Sequence, residues 1–136
     1  MSNPSPIQVE SIDHVTLVVK NLEQSRKFYV DLLGMKEVSR PHFDFEGSWF
    51  QAGETFLHTI LEYEETGPAG NTVSQELTIS RTQHFAFILN DPQGAVAHLQ
   101  KEGVPIVSGP KQRPDGAIQV FIQDPDGYVI ELSHLP

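Results

Sequence analysis

Ile12–Gly34 reads IDHVTLVVKNLEQSRKFYVDLLG, and Thr82–Gly103 reads TQHFAFILNDPQGAVAHLQKEG. The two stretches follow one plan. Each opens on a short apolar strand with a histidine at its third position, His14 and His84. Each then turns through an Asn or Asp into an amphipathic helix, and each helix stops at a glycine. The histidines stand 70 residues apart, and the glycines, Gly34 and Gly103, stand 69 apart. Repetition of a whole supersecondary unit implies two similar modules packed together. The matched histidines then face one another, or a partner chain, across whatever the modules enclose.

The rest of the chain extends the repeat. Ser11–Val19 alternates, with Val15, Leu17 and Val19 on one face and Ile12, His14, Thr16 and Val18 on the other. Asn21 is an N-cap with Gln24 at the capping-box position. Leu22, Ser25, Tyr29, Leu32 and Leu33 recur at helical spacing, with Phe28 beside them, before Gly34. Met35–Arg40 reads as a strand and Pro41–Gly47 as a loop. Ser48–Ala52 and Thr55–Glu62 form a hairpin at Gly53-Glu54. In the second half, Thr82–Leu89 is a strand, and Asp91-Pro92 opens a helix carrying Ala95, Val96 and Leu99. Val104–Val107 reads as a strand and Ser108–Gly116 as a Pro/Gly-rich loop. Ala117–Gln123 and Tyr128–Ser133 then pair across Asp124-Pro125-Asp126-Gly127, a strong turn sequence. Each half is β-α-β-β-β, so the expected class is α+β: two paired βαβββ modules forming a curved sheet. The expected organisation is a flexible tail over residues 1–10 and a single domain over 11–136. Within it, module one covers 11–62, a connection covers 63–80 and module two covers 81–136. The connection is acidic, then Gly/Pro-rich, then polar, the composition of a mobile segment or lid.

Composition narrows the function. The chain has 136 residues, enough for one domain with a real core. Its net charge of −9 argues against nucleic acid and anionic membranes, which require basic patches. It has no cysteine, hence no thiolate metal site, disulfide or cysteine nucleophile. No apolar run approaches the ~20 residues of a membrane helix, and MSNPSPIQVE lacks the character of a signal peptide. The expectation is a soluble, cytoplasmic protein with a small-molecule substrate.

Strand parity locates the chemistry. Val15/Leu17 and Phe85/Phe87 suit packing under the helix of their own module, which turns His14 and His84 to the opposite face. In YVIELSH, Ile130 and Leu132 take the helix side and Glu131 points away. In TFLHTIL, Leu57 and Leu61 take the helix side and His58 points away. Four potential ligands, His14, His58, His84 and Glu131, thus project from one face of the two sheets, one per matching strand. Three imidazoles and a carboxylate suit Zn²⁺, Ni²⁺, Fe²⁺ or Mn²⁺ in a site open to substrate. His42, His98 and His134 lie outside this set, the first two expected at the solvent and the third structural or idle.

DHVTLVVKNLEQSRKFYVDLLGM (Asp13–Met35) and QDPDGYVIELS (Gln123–Ser133) resemble the signatures of the vicinal-oxygen-chelate superfamily. That group includes glyoxalase I, fosfomycin and bleomycin resistance proteins, methylmalonyl-CoA epimerase and extradiol dioxygenases. The resemblance implies βαβββ modules curled around a divalent metal. It also implies a homodimer, in which a site is sometimes built from modules of both chains. By position, its metal ligands fall on His14, His58, His84 and Glu131. Glyoxalase I usually carries Glu or Gln at the position of His58, so one of two carboxylates for proton shuttling is missing here. The implied function is a metal-dependent, glyoxalase-like lyase or isomerase. Its substrate is small and chelated through two neighbouring oxygens, and Glu131 is the catalytic proton carrier. An Fe(II) extradiol-type dioxygenase and a non-catalytic binding or resistance protein are the alternatives. Phe43, Phe45, Trp49 and Phe56 are candidates to line an apolar pocket, and Arg113 to meet a substrate carboxylate.

Overall fold

The computed structural model describes residues 5–136. The flexible tail expected over 1–10 therefore lies partly outside the described residues. Two four-stranded mixed sheets carry the chain, and their topologies are identical. In the first, β1 (His14–Val19), β4 (Thr55–Leu61), β3 (Gly47–Ala52) and β2 (Lys36–Val38) are neighbours in that order. In the second, β5 (Phe85–Ile88), β8 (Val129–His134), β7 (Ile118–Gln123) and β6 (Ser108–Gln112) repeat the arrangement. The opening strand of each module pairs parallel with its closing strand, and the remaining pairs are antiparallel. The fold is the α+β pair of βαβββ modules expected from the repeat.

The alternation of β1 is realised as read. Leu17 and Val19 are buried, whereas His14 and Thr16 are exposed. Helix α1 (Leu22–Arg26) starts where Asn21 accepts a hydrogen bond from the Gln24 amide at 2.8 Å. It then widens into π-helical turns over Lys27–Leu32, marked by the Leu33 amide bonding the Phe28 carbonyl. The extra residue in that turn lets two consecutive aromatics, Phe28 and Tyr29, both face the core. Helix α2 (Pro92–Lys101) is capped by Asp91, which accepts from the Gly94 amide, and buries Leu99. Leu17, Val19, Tyr29, Phe50 and Leu57 of module one form a single core with Leu99, Val120, Ile122, Ile130 and Leu132 of module two.

One strand departs from the expected position. β6 runs through Ser108–Gln112, inside the stretch read as a loop, while Val104 and Ile106 pack on the core without joining a strand. Pro110 is tolerated because β6 is the outermost strand, where a missing N–H costs no ladder bond. The pairing with β7 shifts register between Ser108 and Lys111. Gly109 is required there, with φ +88° and a Cβ that would fall 2.3 Å from the Gln119 carbonyl oxygen.

A polar seam joins the modules. The buried Tyr29 hydroxyl donates to Asp124 at 2.5 Å. The other oxygen of Asp124 accepts from the amides of Asp126 and Tyr128, which shapes the β7–β8 turn. Asp126 in turn accepts from the Lys20 amide, and the Tyr128 hydroxyl donates to the Val18 carbonyl. Residues 63–80, the expected connection, are tied to this turn. The Gly70 amide donates to the Tyr128 hydroxyl at 3.0 Å, and the Asn71 amide bonds the Asp126 carbonyl.

Candidate functional site

The register makes the two modules superposable at the residues that matter. His58 lies opposite Thr16, two residues beyond His14, and Glu131 lies opposite Ala86, two residues beyond His84. On their other flank, His58 faces Trp49 and Glu131 faces Phe121. Each module therefore presents a histidine, His14 at the start of β1 and His84 just before β5, near a ligand-type side chain from its last strand.

In module one the pair is a ring stack. The His14 and His58 centroids are 4.0 Å apart with 17° between planes. Trp49 covers the other face of His58 at 4.1 Å and 2°, so His58 is the middle of three stacked rings. Burial first, and the adjacent His14 second, lower the His58 pKa below the ordinary histidine value. That favours the neutral imidazole a metal requires. His14 Nδ1 lies 2.8 Å from the Asp13 carboxylate, which orients its ring.

In module two the pair is an imidazole nitrogen beside a carboxylate. His84 Nε2 stands 3.1 Å from Glu131 Oε1, and His84 Nδ1 stands 2.7 Å from the Thr82 carbonyl. A carbonyl only accepts, so Nδ1 carries a proton; Nε2 then bonds the carboxylate only through a second ring proton, the place a metal ion would take. Gln119 Nε2 donates to Glu131 Oε2 at 3.2 Å, and the edge of Phe121 supports His84. Glu131 is 5% exposed, a buried carboxylate bonded by the Gln119 amide and flanked by His84 Nε2.

This donor set fits a divalent ion. Nitrogens and a carboxylate are its chemistry, and His14 and His84 each have the second ring nitrogen on an oxygen partner, as metal-bound histidines do. Within one chain the four residues form two separate pairs. Among the described residues, no group of three or more His, Cys, Asp or Glu stands close enough to hold one ion. Between the modules lies a groove of about 680 Å³, with Ile12, Val15, Phe56, His84, Ala86 and Ile88 along it. Ile12 and Ile88 are 70% and 72% exposed.

The other candidates are also placed. Phe43, Phe45, Trp49 and Phe56 form a chain of aromatic contacts that reaches His58. Arg113 is already occupied: its fork meets both Asp115 oxygens, at 2.8 and 2.6 Å, within its own loop. His98 is exposed, as expected, with Nε2 near the Leu32 carbonyl, and the half-buried His134 contacts the Leu89 carbonyl through Nδ1. His42 is exposed. The sequence reading missed Gln119 and Arg40. Gln119 was recoverable from parity, since it shares the Phe121 side of β7, one diagonal from Glu131. Arg40 closes the stretch Met35–Arg40 read as a strand, of which β2 keeps only Lys36–Val38, and nothing in that pattern marks its side chain.

The family model of the Glyoxalase/Bleomycin resistance protein/Dioxygenase superfamily matches residues 11–132. A lactoylglutathione lyase of Neisseria meningitidis is 31% identical over 124 residues, covering 87% of this chain and 86% of that one. Glyoxylase I 4 of Arabidopsis thaliana is 27% identical over 135 residues, covering 96% of this chain and 74% of that one. A solved glyoxalase/dioxygenase from Nostoc punctiforme superposes with a TM-score of 0.76 at 26% identity, covering 99% of this chain and 97% of that one. With the duplicated module, its register and these matches together, the chain belongs to the glyoxalase/bleomycin resistance protein/dioxygenase superfamily.

Proposed function

We propose that this protein is a metal-dependent, glyoxalase-like lyase or isomerase. Its substrate is a small molecule chelated through two neighbouring oxygens. The ion is held by His14 and His58 of one chain and by His84 and Glu131 of a second copy. The observation that carries this reading is the pairing itself. Two half-sites occupy equivalent register positions on faces turned away from the helices, yet lie apart within one chain. A homodimer that sets module one of each copy against module two of the other completes two sites at once. The free edges of β1 and β5, with exposed Ile12 and Ile88 beside them, offer the surface for it.

When bound, a divalent ion supplies Lewis acidity to the two substrate oxygens and stabilises charge that develops there. The chain's own residues do the rest. Asp13 and Thr82 hold the rings of His14 and His84 in orientation, and Trp49 fixes the plane of His58. Glu131 takes a proton from a carbon next to a substrate oxygen and returns it to the neighbouring carbon. Gln119 keeps one Glu131 oxygen in place during the transfer.

The test is metal-dependent exchange of substrate C–H for deuterium across a panel of α-hydroxycarbonyl compounds and hemithioacetals. Exchange that requires the ion and disappears in Glu131→Gln supports the reading. Oxygen uptake with catechols points instead to the dioxygenase, and tight ligand binding without turnover points to a binding protein.

A further inference from the structure

Arg40 stands out on electrostatic grounds. The chain has 18 acidic residues against 9 lysines and arginines, so a basic side chain has ample choice of partners. Arg26 and Arg113 each take one or two carboxylates. Arg40 takes none within 4.0 Å among the described residues, although it is half-buried. Its guanidinium lies 4.7 Å from the ring centre of Phe43 and 4.9 Å from that of Phe45. Nη2 donates to the Phe45 carbonyl at 2.9 Å. Gly47 keeps the space beside it clear, since a Cβ there would come 3.2 Å from Nε and Nη2.

Two stacked phenyl faces and one carbonyl hold the cation without neutralising it. Most of its five N–H donors have no protein acceptor among the described residues. A partly desolvated charge left in this state is suited to an anion from outside. Its neighbours run continuously to the candidate metal ligands: Phe43 contacts Trp49, Trp49 stacks on His58, and His58 stacks on His14.

We infer that Arg40 is the anion-recognition residue of the substrate site, and that the substrate carries a carboxylate or similar oxyanion attached to a flat unsaturated group. The flat group lies along the aromatic wall of Phe43, Trp49 and Phe56, while the oxyanion meets the free edge of the guanidinium. This deepens the proposed function and rests on its choice of face. The role expected of Arg113 passes to Arg40 because Asp115 already fills the Arg113 fork.

Trp49 is the sole tryptophan, so its fluorescence reports on this wall. The probes are phenylacetate and its neutral isostere phenylacetamide, titrated into protein stripped of metal with EDTA. Metal is thereby removed from the question, and metal content is measured separately on each variant. Phenylacetate is expected to quench saturably and to bind at least about tenfold more tightly than the amide, the scale of one charge-assisted hydrogen-bonded contact. Arg40→Gln should abolish that preference, Arg40→Lys should keep part of it, and Arg113→Gln should keep all of it. Circular dichroism establishes that each variant is folded, and Arg40→Lys preserves the packing if Arg40→Gln does not fold. Equal binding of the two probes, absence of saturable quenching, or an anion preference that survives in Arg40→Gln would each overturn the inference. Failure here with intact metal binding leaves the metal reading standing; loss of metal in the native protein with the anion preference intact does the reverse.

Discussion

His58 and Glu131 are the same position of one duplicated module, filled once by an imidazole and once by a carboxylate. Each sits opposite the residue two beyond its module's leading histidine, and each faces an aromatic ring on the adjoining strand. The duplication supplies two pairs of candidate ligands, and the proposed chemistry turns on the difference between them. With an imidazole at 58, Glu131 is the only carboxylate of the four.

A two-base reaction is therefore expected to run poorly. Turnover of the methylglyoxal–glutathione hemithioacetal should be weak in the native protein. His58→Glu should raise kcat by about 100-fold, the lower range of a positioned general base, if the pocket admits the substrate. Steady-state kinetics at equal metal loading check this. Efficient native turnover would mean that the base or a ligand is misassigned.

The titration of His58 follows from its surroundings. Burial and His14 both lower its pKa, so in metal-free protein it should titrate below the ordinary histidine value of about 6.5. His14→Ala removes the second cause and leaves the first. The pKa should rise part of the way back, as followed by the imidazole carbon-bound protons in NMR spectra. A value unchanged by His14→Ala would show that the stack is not maintained in solution.

Tyr29→Phe tests the seam between modules. Loss of a buried hydroxyl bonded to a carboxylate should cost about 1–3 kcal/mol. The pH dependence has a definite sign. Burial raises the Asp124 pKa, and the Tyr29 hydrogen bond partly offsets that rise. An acid whose folded pKa is raised gives its full contribution below the unfolded value, and loses it as pH climbs through the folded value. Removing the hydroxyl raises the folded value further, so the variant loses more. The deficit relative to wild type should be smallest below about pH 4 and should grow toward pH 7, as measured by denaturant unfolding.

Much of this was legible in the chain because strands betray their faces. The alternation around His14, His58 and Glu131 sent Leu17, Leu57, Ile130 and Leu132 to the core, where they lie, and the cap at Asn21 and the Asp124–Gly127 turn were marked by local chemistry. β6 was hidden because Pro110 and Gly109 read as a loop, and their use in an edge strand depends on pairing with β7 across a register shift. The π-helical turn at Lys27–Leu32 was hidden for a similar reason: packing two consecutive aromatics inward is a tertiary demand. The separation of the four candidate ligands into two pairs follows from how whole modules sit together, which parity within one strand does not encode. Arg40 lies two residues past the end of β2, and only its three-dimensional surroundings distinguish it from a solvated charge.

The central claim is that one ion is shared between two chains, and subunit complementation tests it most directly. His14→Ala and Glu131→Ala each remove one ligand from both sites of a homodimer, so each variant alone should retain almost no metal. In a heterodimer of the two, both substitutions fall in one site and the other site is intact. Co-expression with random pairing should therefore restore about one quarter of an ion per chain, as half of the dimers would each carry one ion. Elemental analysis gives the metal content, and native mass spectrometry gives the heterodimer fraction. Recovery to that level is the predicted result; heterodimers that form yet hold no more metal than the parent variants would contradict it.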